Sequence, residues 1–225
     1  MPDTKFSWRF LREHLRKYIW LYLLGIALGL AGAELLWTMT RPRIPNNASI
    51  NIYMAAPYSN AEALQPFAPD ILSRVQADDD TVRQVYFESL MYNEQIYTSN
   101  MLLLTRLSVG ECDAFLASQE AMDALVASET LVPLDDALAE GWMSGIGLEP
   151  YVITTEDEDT GKTATWTAGL RLDSVDALAE MGAFDNEGAF LCVTTNGGNT
   201  EAAMKALEYL MRDLTEASHA ATKAA

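Results

Sequence analysis

Two histidines, two cysteines and two acidic runs are the side chains of this sequence best suited to chemistry, and their spacing argues against a catalytic centre. His14 precedes a long apolar run and His219 lies near the C-terminal end, so neither stands where a folded core would hold a general base. The sequence has no G-x-S-x-G, Walker A, H-E-x-x-H or C-x-x-C motif. Gly145-Ile146-Gly147 lacks the third glycine of a dinucleotide loop, and no clear strand precedes it. The runs Asp78–Asp80 and Glu156–Asp159 concentrate negative charge, but the second misses the ligand positions and final glutamate of an EF-hand. Both are expected to be exposed turns. Cys112 and Cys192 are too few for a disulfide framework or a zinc site and leave two readings, one bridge or two buried thiols. The expectation is therefore no catalytic residue, no cofactor and no metal.

Any site must be positioned by two dissimilar parts of the chain. Residues 18–39 (YIWLYLLGIALGLAGAELLWTM) carry one ionisable side chain, Glu34, and are long enough to span a bilayer core of about 30 Å. Tyr18, Trp20, Tyr22 and Trp37 lie near its ends, where aromatic rings with a polar edge favour the interface. Lys5, Arg9, Arg12, Arg16 and Lys17 precede the run, so residues 1–17 are expected to be a cytoplasmic tail and the rest extracytoplasmic. A cleaved signal peptide is the rival reading, because Ala31, Gly32 and Ala33 form an A-x-A site. Against it, LLWTM extends the apolar run past Ala33. Gly25, Gly29 and Ala33 make a small-residue face suited to helix–helix packing in a membrane. Glu34, close to the outer end, is expected to reach interfacial water.

After a linker at 40–48 with two prolines, the charge changes sharply. Residues 45–225 hold 8 basic and 29 acidic side chains, a net charge of −21. Such a surface repels nucleic acid. The patterning predicts strands over 49–54, from 81, over 113–118, over 151–155 and 163–172 as a hairpin, and over 189–195. Helices are expected over 61–75, over 99–109 with Met101 and Leu104 on the buried face, from Ser118 as N-cap, near 174–181, and from Asn199 with Ala203, Met204, Leu207, Leu210, Met211 and Leu214 on one face. Residues 216–225 are expected to fray. This order predicts a single three-layer α/β domain over 49–215, with a largely parallel sheet and one β-hairpin.

The segment LLLTRLSVGECDAFLASQEAMDALVASETLVPLDDAL resembles extracellular solute-binding proteins of the type 2 periplasmic-binding-protein fold. Gly110, Glu111, Asp113, Phe115, Leu116, Pro133, Leu134 and Asp135 stand at the family's places, and Thr130 replaces its usual glycine. GAFLCVTTNGGNTEAAMKALEYLM resembles a later segment, so the likeness spans about 60 of the 225 residues. Family members trap ligand between two lobes. Here only a short stretch lies between LVPLDDAL and the strand that would return to the first lobe, which implies a truncated, single-lobe, membrane-anchored member.

Open α/β sheets bind ligands beyond the carboxyl ends of their strands. That rule selects Pro57 and Tyr58 after the first strand, and Ser118 and Gln119 where a helix offers free amides. Trp142 and Trp166 either line such a surface or fill the core. The expected function is a non-catalytic binding or interaction module, tethered to a bacterial cell membrane and accessory to a transporter or surface complex. The alternative is a receptor for a small solute, its site completed by a homodimer or a membrane partner.

Overall fold

The structure, a computed structural model, describes residues 8–40, 45–156 and 163–224. It divides into an N-terminal unit ending at Arg43 and a second unit from Ile44 onward. The first contains α1 (Trp8–Thr40), whose stretch Arg16–Thr40 is long and apolar enough to cross a membrane or serve as a signal segment. Every described side chain on it is exposed. A Cβ on Gly25 or Gly29 would meet open space, so the small-residue face that also includes Ala33 is uncovered within the chain.

The second unit is built from β1 (Ser49–Ala56), α2 (Ala68–Asp78), β2 (Gln84–Met91), α3 (Tyr97–Val109), β3 (Ala114–Ser118), α4 (Gln119–Ala127), α5 (Asp135–Ala139), β4 (Pro150–Glu156), β5 (Thr163–Arg171), α6 (Ala177–Glu180), β6 (Ala189–Val193) and α7 (Thr200–Ala224). The six strands form one sheet in the order β2-β1-β3-β6-β5-β4. Alternation along each strand divides the core in two. Ile50, Ile52, Met54, Phe87, Leu116 and Leu191 face α2 and α7. Tyr53, Ala55, Phe115, Phe190 and Cys192 face α3 and α4. These are the two faces of a three-layer arrangement.

The sheet is mixed, which corrects the expectation of a largely parallel one. β1 pairs in parallel with β2 and β3, but β3–β6, β6–β5 and β5–β4 are antiparallel. A parallel return needs a long crossover that lays a helix across the sheet face. Between β5 and β6 the only α-helix is α6, of 4 residues, and β6 comes back beside β5 in the opposite direction. The β4–β5 hairpin forms as the alternation predicts, while the acidic run at its tip falls largely at 157–162, outside the described residues. Helix α7 runs to Ala224, through the segment expected to fray.

Local chemistry ends the elements where site-bearing loops begin. Gly110 closes α3 in the left-handed region (φ 69°), with its N–H donating to the Leu107 carbonyl at 3.1 Å. A Cβ there would also lie 2.7 Å from the Asn196 carbonyl oxygen, so glycine answers both conformation and packing. Asp135 accepts the Thr167 N–H at 3.0 Å and its hydroxyl at 2.9 Å, tying the LVPLDDAL segment to β5.

Candidate functional site

The parallel strands β1, β2 and β3 end on the same side of the sheet, and Ala55 of β1 lies opposite Ala117 of β3. Pro57 and Tyr58 therefore leave the sheet beside Ser118 and Gln119, so the structure brings the two predicted pairs to one edge. Tyr58 is exposed. The loop behind it is firmly held: the Ser59 hydroxyl donates to the Met54 carbonyl at 3.0 Å, and the Ala61 N–H donates to Ser89 Oγ at 2.8 Å. Ser118 caps α4, accepting the Ala121 N–H at 3.4 Å. Gln119 donates to Asp123 Oδ1 at 2.8 Å. Two of the four predicted ligand contacts are thus engaged in local structure.

The loop after β2 contributes groups that the sequence reading missed. Tyr92 is buried, and its hydroxyl donates to Asn100 Oδ1 at 2.6 Å. Burial pushes its phenol pKa up, and the charges of Glu94, Glu120 and Asp123 push it further. Among the described residues, Glu120 Oε2 is a buried side-chain oxygen without a hydrogen-bond partner. Such an oxygen accepts from any donor that reaches it, an ordered water as readily as a hydroxyl or ammonium group. Period-based reading passes over this edge because Tyr92 and Glu120 are far apart in sequence.

The other singled-out residues are structural. Trp142 donates its indole N–H to the Met204 carbonyl at 2.9 Å, and Trp166 donates to Thr155 Oγ1 at 3.3 Å. Gly145 and Gly147 have φ of 82° and 81°, in a turn rather than a strand-to-helix phosphate loop. Asp79 folds onto Thr81, accepting its N–H at 2.9 Å, while Asp78 pairs with Lys205 at 3.3 Å. His14 stacks near Tyr18 on α1, with ring centres 4.6 Å apart.

Cys112 and Cys192 are free and buried in the same apolar layer. Burial pushes each thiol up to about 12; at Cys112 the nearby Arg106 guanidinium opposes this. A thiol so far above neutral holds almost no thiolate and reacts slowly. The folded chain should therefore resist iodoacetamide, and both thiols should alkylate after denaturation, as intact-mass measurement would read. Labelling of the native protein, or none of the denatured protein, would contradict this arrangement.

The largest departure from expectation is α3. The sequence reading put Met101 and Leu104 on its buried face. In the structure they are 45% and 48% exposed, and the buried stripe is Ser99, Leu103 and Leu107. Tyr97 is 75% exposed, and Leu102 and Val109 also face out. The one charged side chain of the helix, Arg106, reaches back to Glu111 and Glu88, with its guanidinium 5.8 Å from the centre of the Tyr53 ring. What remains outward is an uncharged, largely apolar surface. Monomeric proteins rarely keep such a patch without a use for it.

No protein-family model matches the chain, and no curated protein matches it.

Proposed function

We propose that this protein is a membrane-tethered interaction module, derived from a solute-binding lobe, whose α/β domain stands outside the cell and meets another protein through α3. In this reading α1 is an uncleaved anchor with its N-terminus in the cytoplasm, and the domain acts beside a transporter or surface complex without catalysing a reaction. The carrying observation is the uncharged outward face of α3 in a domain otherwise rich in carboxylates. Charge depletion together with exposed Met, Tyr and Leu is the composition of an interface core. The family-like segments, and the direct pairing of β4 with β5 where a second lobe would otherwise depart, favour a single-lobe derivative.

The test is a photo-activated benzophenone side chain placed at Leu102 of the full chain in membranes of the source cell. The expected result is a covalent adduct with a protein. Illumination that yields only lipid adducts, with the fold intact, removes the reading.

A second reading is favoured by Glu120: a solute carrying hydroxyl or ammonium groups bound beyond the ends of β1 and β3, beside Tyr58 and Gln119. Such a ligand would raise the melting temperature of the full chain. No shift across amines, amino acids, sugars and peptides would leave it unsupported.

A further inference from the structure

We propose that the partner of α3 is a second copy of this chain, the two α3 helices packing antiparallel about a two-fold axis near Met101 and Thr105. The inference rests on the reading of the domain as an interaction module and names its partner.

Charge favours a second copy over a basic partner. A domain with a net charge of −21 would recruit a basic partner through its carboxylates, yet the outward face of α3 offers none. Two acidic copies repel each other over most of their surfaces. They approach at least cost where no charge lies, and an uncharged apolar face is complementary to its own image.

The polar atoms at the centre of the face are satisfied within the helix. Four exposed hydroxyls lie on this side of the helix: Tyr97, Thr98, Thr105 and Ser108. Those nearest the proposed axis and the C-terminal half, Thr105 and Ser108, already donate to the carbonyls of Met101 at 2.6 Å and Leu104 at 2.7 Å. Covering that part of the face strands neither of these two donors, while Tyr97 and Thr98, in the first turn, stand at the rim where water reaches them.

The face is also large enough. Tyr97, Met101, Leu102, Leu104 and Val109, joined by the exposed Met91 and Ile96 beside the helix, offer on the order of 700 Å² of accessible surface, close to what each partner contributes to a standard interface. Confinement of both copies to one membrane would add effective concentration without any new contact.

The experiment uses the full chain in phosphatidylcholine vesicles at low protein density, with Thr105→Cys as the reporter under mild oxidation. The native thiols are buried and do not compete. Glu187→Cys, in the exposed loop before β6, is the control. Thr105→Cys should form a disulfide-linked dimer, and Glu187→Cys should not. Adding Met101→Glu should cut the Thr105 cross-link by roughly tenfold or more, since the pairing would then bury an uncompensated carboxylate. Because Met101 lies outside the buried stripe, the thermal melt should hold. Leu104→Glu, one turn along, should act alike if the first variant misfolds. Salt should strengthen the dimer by screening two acidic bodies, whereas pairing with a basic surface would weaken. No cross-link, an equal cross-link at Glu187, or one undiminished by both glutamate variants overturns the pairing. The benzophenone experiment separates the failures. An adduct with a different protein overturns self-pairing and keeps the interaction module, whereas adducts with lipid alone remove both.

Discussion

Replacing Asp113 with alanine should cost the domain on the order of 3–5 kcal/mol, a large share of a typical stability of about 5–15 kcal/mol. Asp113 is 2% exposed, and its carboxylate accepts N–H groups from Asn51 at 2.8 Å, Asn199 at 3.1 Å and Gly198. These donors belong to β1 and to the loop that launches α7, so one side chain joins the central sheet to the last helix. Alanine strands all three. The same knot constrains its neighbour: a Cβ on Gly197 would lie 2.6 Å from Asp113 Oδ1 and 2.7 Å from its Cα. Gly197→Ala should therefore be destabilising in the same assay, thermal unfolding of the detergent-solubilised full chain.

The pH dependence of Asp113 has a definite sign. Burial raises its pKa above the ordinary 3.8, and the three N–H groups only partly offset this. A raised folded-state pKa contributes stability that is fully present below the unfolded value and is lost as pH rises through the folded one. The stability advantage of the native chain over Asp113→Asn should accordingly narrow as pH rises from below 4 towards neutrality. An advantage that widens over that interval would refute the buried-carboxylate account.

Phe190→Ala should cost about 3–5 kcal/mol and lower the melting temperature by roughly 10 °C. The ring is fully buried in the layer beneath α3 and α4. Its centre lies 4.5 Å from that of Tyr151 on β4, and the Arg171 guanidinium sits 5.4 Å from it. Phe190 also stands opposite Ala117 of β3 and Arg171 of β5. The ring thus connects the hairpin side of the sheet to its parallel side. Hydrogen exchange should show β4 and β5 losing protection before β1 and β2. A uniform loss would mean that the hairpin does not depend on this contact.

Much of the architecture was legible because it follows from local chemistry. The run at 18–39 declares itself by length and lack of charge. The strands around Ile52, Leu116 and Leu191 declare themselves by short apolar runs between turn residues, and Ser118 by the capping chemistry of its hydroxyl. The turn at Asn196–Asn199 and the apolar repeat from Ala203 to Leu214 likewise set out α7. Sheet direction was not legible. Strand patterning says which residues are buried but not which way the chain runs, and the shortness of α6 decided that β6 would return antiparallel.

The side chains first weighed for chemistry divide along the same line. That His14 precedes the domain, and that two cysteines are too few for a framework, follows from their places in the sequence alone; His219, expected in a frayed end, lies instead in the last turns of α7. That both thiols are buried and unbridged, that Asp113 gathers three backbone donors, and that Glu120 keeps an orphan oxygen beside Tyr92 were decided by contacts between distant segments. The outward face of α3 is the sharpest case. TSNMLLLTRLSV is apolar on nearly every side, so its period cannot say which side meets the core. The sheet accepts only the narrow stripe of Ser99, Leu103 and Leu107, Arg106 is drawn inward by Glu88 and Glu111, and the apolar side chains left outside are a product of packing alone.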